Sequence, residues 1–135
     1  MPEPTPYSLG RIEAVDIRDN NYPLRALMPT SSARPYRYWL PGHVLDQNGY
    51  AECVGYAWKQ WLQTSPRVTY SGPSAPQIYD RATYLDEWTG NEGDRYFGTS
   101  TRAGAKAAQE AGYVAEYHWT SGLTDGLDWI LDHGP

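Results

Sequence analysis

Apolar positions recur at Val54, Ala57, Trp58, Trp61 and Leu62, the i, i+3, i+4, i+7, i+8 spacing of a helix with one buried face. The spacing predicts a helix that opens at Cys53 and is ended by Pro66, whose ring cannot continue it. A second helix is expected from Gln77 to about Thr89, with Pro76 in its first turn and Ile78, Ala82 and Leu85 inward. Its outer face carries Asp80, Arg81, Asp86 and Glu87, a charge cluster that reads as solvated. Asp86 and Glu87 are adjacent, so on a helix they point apart and receive no acid–base role. A third helix is expected from Thr101 to Ala111, capped by Thr99 or Ser100 and stopped by Gly112. Its Ala103, Ala107, Ala108 and Ala111 permit close packing. A last helix is capped by Thr124 or Asp125 and turns Leu127, Ile130 and Leu131 inward.

Strand signals are short. Arg11 to Ile17 alternates apolar with polar, and Val114 to Trp119 reads as a second short strand. Residues 1–10 are proline-rich and expected to be extended or disordered, and prolines at 23, 29, 35 and 41 punctuate the stretch up to residue 45. The pattern predicts an α+β, mainly helical fold. Residues 1–45 form an extended N-terminal arm laid over a helical domain of residues 46–135.

A chain of 135 residues suffices for one domain with its own core. Lys and Arg number 11 against 16 Asp and Glu, a net charge of -5 with no basic run, which argues against nucleic acid and anionic membrane as partners. Six Trp and twelve Tyr predict an aromatic-rich core and groove. One cysteine leaves no intrachain disulfide and fits a reducing compartment. The start, Met-Pro-Glu-Pro-Thr-Pro, has neither the basic nor the apolar run of a signal peptide, so a cytoplasmic location is expected. The glycine-rich loop 89–98 lacks the Gly-Lys-Ser/Thr ending of a phosphate loop. Three histidines and one cysteine show no close ligand spacing, so neither a metal nor another cofactor is expected.

Cys53 at a helix start is the candidate nucleophile, because the free N–H groups and macrodipole there favour a thiolate. Gln47, six residues earlier, offers an amide donor that pairs with the Cys53 N–H around an oxyanion. Glu52 puts a carboxylate beside the thiol, opposing ionisation unless it points into water. The alternative for Cys53 is a small, inert core residue.

The segment Gln47 to Leu62 resembles the active-site segment of papain-like cysteine peptidases, in which a glutamine precedes the nucleophilic cysteine by the same interval and the cysteine opens the central helix. The order Leu-Asp-Gln, Cys-Val-Gly, Asp-Glu-Trp and Gly-Thr-Ser is similar to short papain-like proteins of actinobacteria and their phages, over roughly residues 36–135. The resemblance implies the helical half of that fold, with Cys53 as nucleophile and Gln47 in the oxyanion hole. Gly98 and Thr99 then line the cleft and contact substrate backbone, although a turn glycine and a helix cap account equally for them.

A cysteine peptidase also needs a base, which in papain-like enzymes is a histidine roughly 130–150 residues beyond the cysteine. Only 82 residues follow Cys53, and the final Asp-His-Gly-Pro resembles the start of the family's strand-rich second half. His43 reads as a loop residue making a structural hydrogen bond, and His133 falls in a terminal turn. His118 is a minority base, as in a compact Cys-His-His cell-wall amidase, and otherwise structural. The expectation is a peptidase half that acts on peptide or protein substrates through a thioester, its base supplied by a missing C-terminal half or a second chain. A non-catalytic peptide-binding or structural module on the same fold, including a phage-associated one, is the other expectation.

Overall fold

The helix opened by Cys53 is one of three that pack together to make the core. The structure, a computed structural model, describes residues 10–27 and 38–135. The expectations placed on residues 1–9, and on Pro29 and Pro35, lie outside the described residues. Helix α1 is Cys53–Gln63, α2 is Ala75–Thr83, α3 is Thr101–Glu110 and α4 is Leu123–His133. Two 3-10 helices, Ile17–Asn21 and Leu24–Leu27, precede them. The described fold is mainly helical.

Helices α1, α2 and α3 pack against one another. Leu62 from α1, Ile78 and Ala82 from α2, and Ala103 and Ala107 from α3 form the buried cluster, with Trp58, Trp61, Leu85 and Tyr113 against it. Small residues set the spacing. A β-carbon on Gly55 would lie 2.2 Å from the Ala75 carbonyl oxygen, so α1 and α2 approach to backbone contact. Val54 and Leu62 are buried as the periodicity predicts, whereas Ala57 is exposed and Trp58 and Trp61 are half-buried. Those three residues line an aromatic cavity of about 600 Å³, together with Leu24, Leu27, Tyr117, His118 and Trp129.

Local signals place the helix ends well. Ser100 caps α3 by accepting the Ala103 N–H at 3.1 Å, and Ser74 with Gln77 forms a reciprocal capping box on α2. Two expected ends shift. Helix α2 stops at Thr83, well before Thr89, because the chain tightens into turns and the Asp86 carboxylate takes the Trp88 N–H at 3.0 Å. Helix α4 begins at Leu123 after Gly122, ahead of the expected caps Thr124 and Asp125. Leu127 and Ile130 are exposed where the periodicity turned them inward, because the described elements leave that face of α4 uncovered. The indole N–H of Trp39 reaches the Ile130 carbonyl at 2.9 Å, and that of Trp61 reaches Pro135.

The expected strands reduce to isolated bridges among the described residues: Arg11 with Thr99, and Pro23 with Trp119, both parallel. The alternation of Arg11 to Ile17 breaks at Asp16, whose carboxylate accepts the Arg18 N–H at 2.9 Å and starts a 3-10 helix. Among the described residues, no helix is long and apolar enough to cross a membrane.

Candidate functional site

Cys53 is the first residue of α1, and Glu52 is its N-cap position without a side-chain capping bond. The Glu52 carboxylate turns inward, 1 % exposed, and pairs with Arg95 through Nε and, at 3.3 Å, through Nη2. It therefore avoids water, and its charge is met by Arg95. The Arg95 guanidinium lies 3.5 Å over the Tyr50 ring, and the Arg95 carbonyl accepts the Ala51 N–H at 2.8 Å. The turn before the cysteine is thus fastened to the loop before α3 by side chain and backbone together.

The Cys53 thiol is half-buried, and burial pushes its pKa up. The Val54 N–H and the Arg11 charge act in the opposite sense and do not overcome it. Burial therefore works against the thiolate that the helix position alone favours.

Gln47 spends its amide on its own turn: Nε2 donates to the Tyr50 carbonyl at 2.6 Å, and the Tyr50 N–H donates back to the Gln47 carbonyl at 3.1 Å. Asn48 at φ 51° and Gly49 at φ 77° bend the chain there. To serve an oxyanion at Cys53, the amide must leave Tyr50.

Gly98 and Thr99 present a backbone edge. Gly98, buried at φ 96°, donates its N–H to the Tyr79 hydroxyl at 3.0 Å, and that hydroxyl donates to the Asp94 carbonyl. Thr99 is fully buried and its hydroxyl donates to Asp86 at 2.8 Å, so Asp86 is a positioning group and not part of a solvated face. The Thr99 backbone pairs with the N-terminal arm: its N–H donates to the Gly10 carbonyl at 2.7 Å and its carbonyl accepts the Ile12 N–H at 2.8 Å. The arm is fixed further along by Arg102, which reaches the Ala14 carbonyl at 3.1 Å and ion-pairs with Asp19 and Glu87.

The histidines have their neighbours elsewhere. His43 lies 4.9 Å, ring to ring, from Tyr70, and His133 stacks on Trp129 at 3.9 Å. His118 meets the edge of Tyr22, with Nε2 3.5 Å from Glu116, in the aromatic cavity whose α1 residues are Ala57, Trp58 and Trp61 and not Cys53. Among the described residues no cluster of His, Cys, Asp or Glu could hold a metal ion.

Sequence reasoning missed Arg95, Tyr79, Arg102 and the pairing of Gly10 to Ile12. Arg102 did leave a signal, being a cation within an alanine-rich inward stripe. Tyr79 leads to a prediction. Burial raises its pKa to about 12, so stability is complete below about pH 10 and falls as pH climbs towards 12, where only the unfolded chain ionises. Tyr79→Phe should flatten that alkaline fall. At neutral pH it should lower stability by about 1–3 kcal/mol, because it orphans the Gly98 N–H and the Asp94 carbonyl. Chemical denaturation at neutral and alkaline pH checks both.

No family model, curated protein or solved structure matches this chain.

Proposed function

We propose that this chain is the nucleophile-bearing half of a papain-like cysteine peptidase, with Cys53 attacking an acyl carbon and the Cys53 N–H and Gln47 amide holding the oxyanion. The observation that carries the reading is the position of Cys53, first residue of α1, directly after the turn that Glu52 and Ala51 fasten through Arg95 to the loop carrying Gly98. A base and a leaving-group acid come from a second, strand-rich unit or another chain, since the three histidines are engaged away from the thiol. The substrate is an extended peptide or protein segment along Gly98 and Thr99.

An activated ester removes the need for that second unit. With p-nitrophenyl acetate, the sulfur–carbon bond forms, the bond to p-nitrophenolate breaks, and the thiol proton goes to solvent. The leaving group departs as a stable anion. We expect a p-nitrophenolate burst with acetyl found on Cys53 by mass spectrometry, and a burst rate about tenfold lower in Gln47→Ala. Acetylation no faster than that of a free thiol, and indifferent to Gln47, would sink the reading.

A second reading keeps the fold without turnover: a peptide-binding or structural module, including one built into a phage assembly. The raised thiol and the engaged Gln47 amide favour it. The same burst experiment separates the two.

A further inference from the structure

The aromatic cavity holds about 600 Å³, the size of a small-molecule site, and Cys53 does not line it. Its walls come from the second 3-10 helix, α1, the start of α3, the segment before α4 and α4 itself. Trp58 and Trp61 stand at 82° with ring centres 5.3 Å apart, so two indoles form a corner. Trp129 is held in place by His133, stacked on it at 3.9 Å. Trp61 already has a cation over its ring, the Arg67 guanidinium at 5.0 Å from the centre, which does not line the cavity.

Polar groups on this lining are few. Both ring nitrogens of His118 are buried away from water, so it meets the cavity with carbon. Glu116 is the acid of the lining, its side chain 68 % exposed, and no Lys or Arg stands among the described lining residues. The wall it belongs to is acidic throughout: from Gly112 to Pro135 the chain carries Glu116, Asp125, Asp128 and Asp132 and no Lys or Arg. Ring faces are negative as well, so rings and carboxylates act with the same sign. The positive N-terminus of α3 opposes them at Thr101, and there Ser100 already caps it.

We propose that this cavity binds a small organic cation whose charge is a quaternary ammonium on an apolar body. Alkyl groups on nitrogen suit the walls, since ammonium N–H groups would lose water and find few acceptors there. The ring faces attract the cation, and Glu116 supplies the counter-charge. A carboxylate ligand meets Glu116 and finds no cation in the lining. The site does not depend on the thiol, so it stands or falls apart from the peptidase reading.

The test titrates the full chain with benzyltrimethylammonium, benzylamine, benzyl alcohol and benzoate, read from the indole N–H signals in nitrogen–proton NMR spectra. We expect Trp58, Trp61 and Trp129 to shift. Dissociation constants should rise from the quaternary cation to benzylamine to benzyl alcohol, with on the order of tenfold between the first and the last. Benzoate should not bind, and neither should phosphatidylcholine vesicles, since the cavity takes the whole cation with its apolar body. Glu116→Gln keeps the shape at an exposed position, and should weaken the quaternary cation on the order of threefold while leaving benzyl alcohol unchanged. Trp58→Leu keeps an apolar wall and removes the ring face, so the preference for cation over alcohol should fall. If that variant loses helical circular dichroism, Trp129→Leu takes its place. Cys53→Ala should bind as the wild type does. Benzyl alcohol binding as tightly as the quaternary cation would reduce the cavity to an apolar hole and overturn the proposal. So would tightest binding of benzylamine, an unchanged affinity in Glu116→Gln, association with the vesicles, or no shift of the three indoles.

Discussion

Gly55→Ala should lower the stability of this domain by about 3 kcal/mol, although alanine is intrinsically the better helix former by about 1 kcal/mol. The added methyl group has no room. It would lie 2.2 Å from the Ala75 carbonyl oxygen and 2.8 Å from the Tyr79 backbone nitrogen, so α1 and α2 have to separate along their contact. Backbone cannot rotate out of the way as a side chain can. Gly104→Ala provides the internal comparison. Its methyl would meet Trp58 Nε1 at 2.4 Å and Val54 Cγ1 at 2.6 Å, both side-chain atoms. Trp58 is half-buried beside the aromatic cavity and has space to move. The Gly104 change should therefore be the milder of the two, by equilibrium urea denaturation of both variants. Equal losses would mean that the α1–α2 contact is less tight than the distances imply. A loss of about 3 kcal/mol matters because small domains hold only about 5–15 kcal/mol in total.

These two glycines also mark the border of what was legible in the sequence. The start of α1 at Cys53 and the Ser100 cap of α3 were readable because a cap, a proline or a period acts within a few residues. The closeness of α1 to α2 was not, since Gly55 looks like any weak helix residue until Ala75 is placed against it. Lys59 is a second case. It sits on α1 as an apparently solvated cation, yet it is buried, with Nζ donating to the Tyr70 carbonyl at 3.0 Å and the Ser71 carbonyl at 3.3 Å. At the candidate site, spacing alone singled out Cys53 and Gln47 as expectations. Their states could not be read there, because the thiol's burial and the amide's choice of Tyr50 depend on how the turn folds back. Nor could Glu52 be judged, because its partner lies 43 residues away.

That partnership yields the other large effect. Arg95→Ala should lower the melting temperature more than any other single change in the loop before α3, because it leaves the Glu52 carboxylate buried without a counter-charge. It also removes the guanidinium that lies over Tyr50. Arg95 itself is 45 % exposed, so water entering its place offsets part of the loss, and the effect falls short of that for a fully enclosed pair. Glu52→Gln keeps the shape and removes the charge, and should be milder. The decisive variant is the double one. If the penalty is an unpaired buried charge, adding Glu52→Gln to Arg95→Ala should raise the melting temperature above that of Arg95→Ala alone. If the arginine acts only by packing on Tyr50, the second change should lower it further. Because Ala51, Glu52 and Cys53 are consecutive and Ala51 is hydrogen-bonded to the Arg95 carbonyl, loosening this pair should also change Cys53 alkylation. A melting temperature that moves while the alkylation rate stays fixed would show that the buried pair holds the fold but does not set the exposure of the thiol.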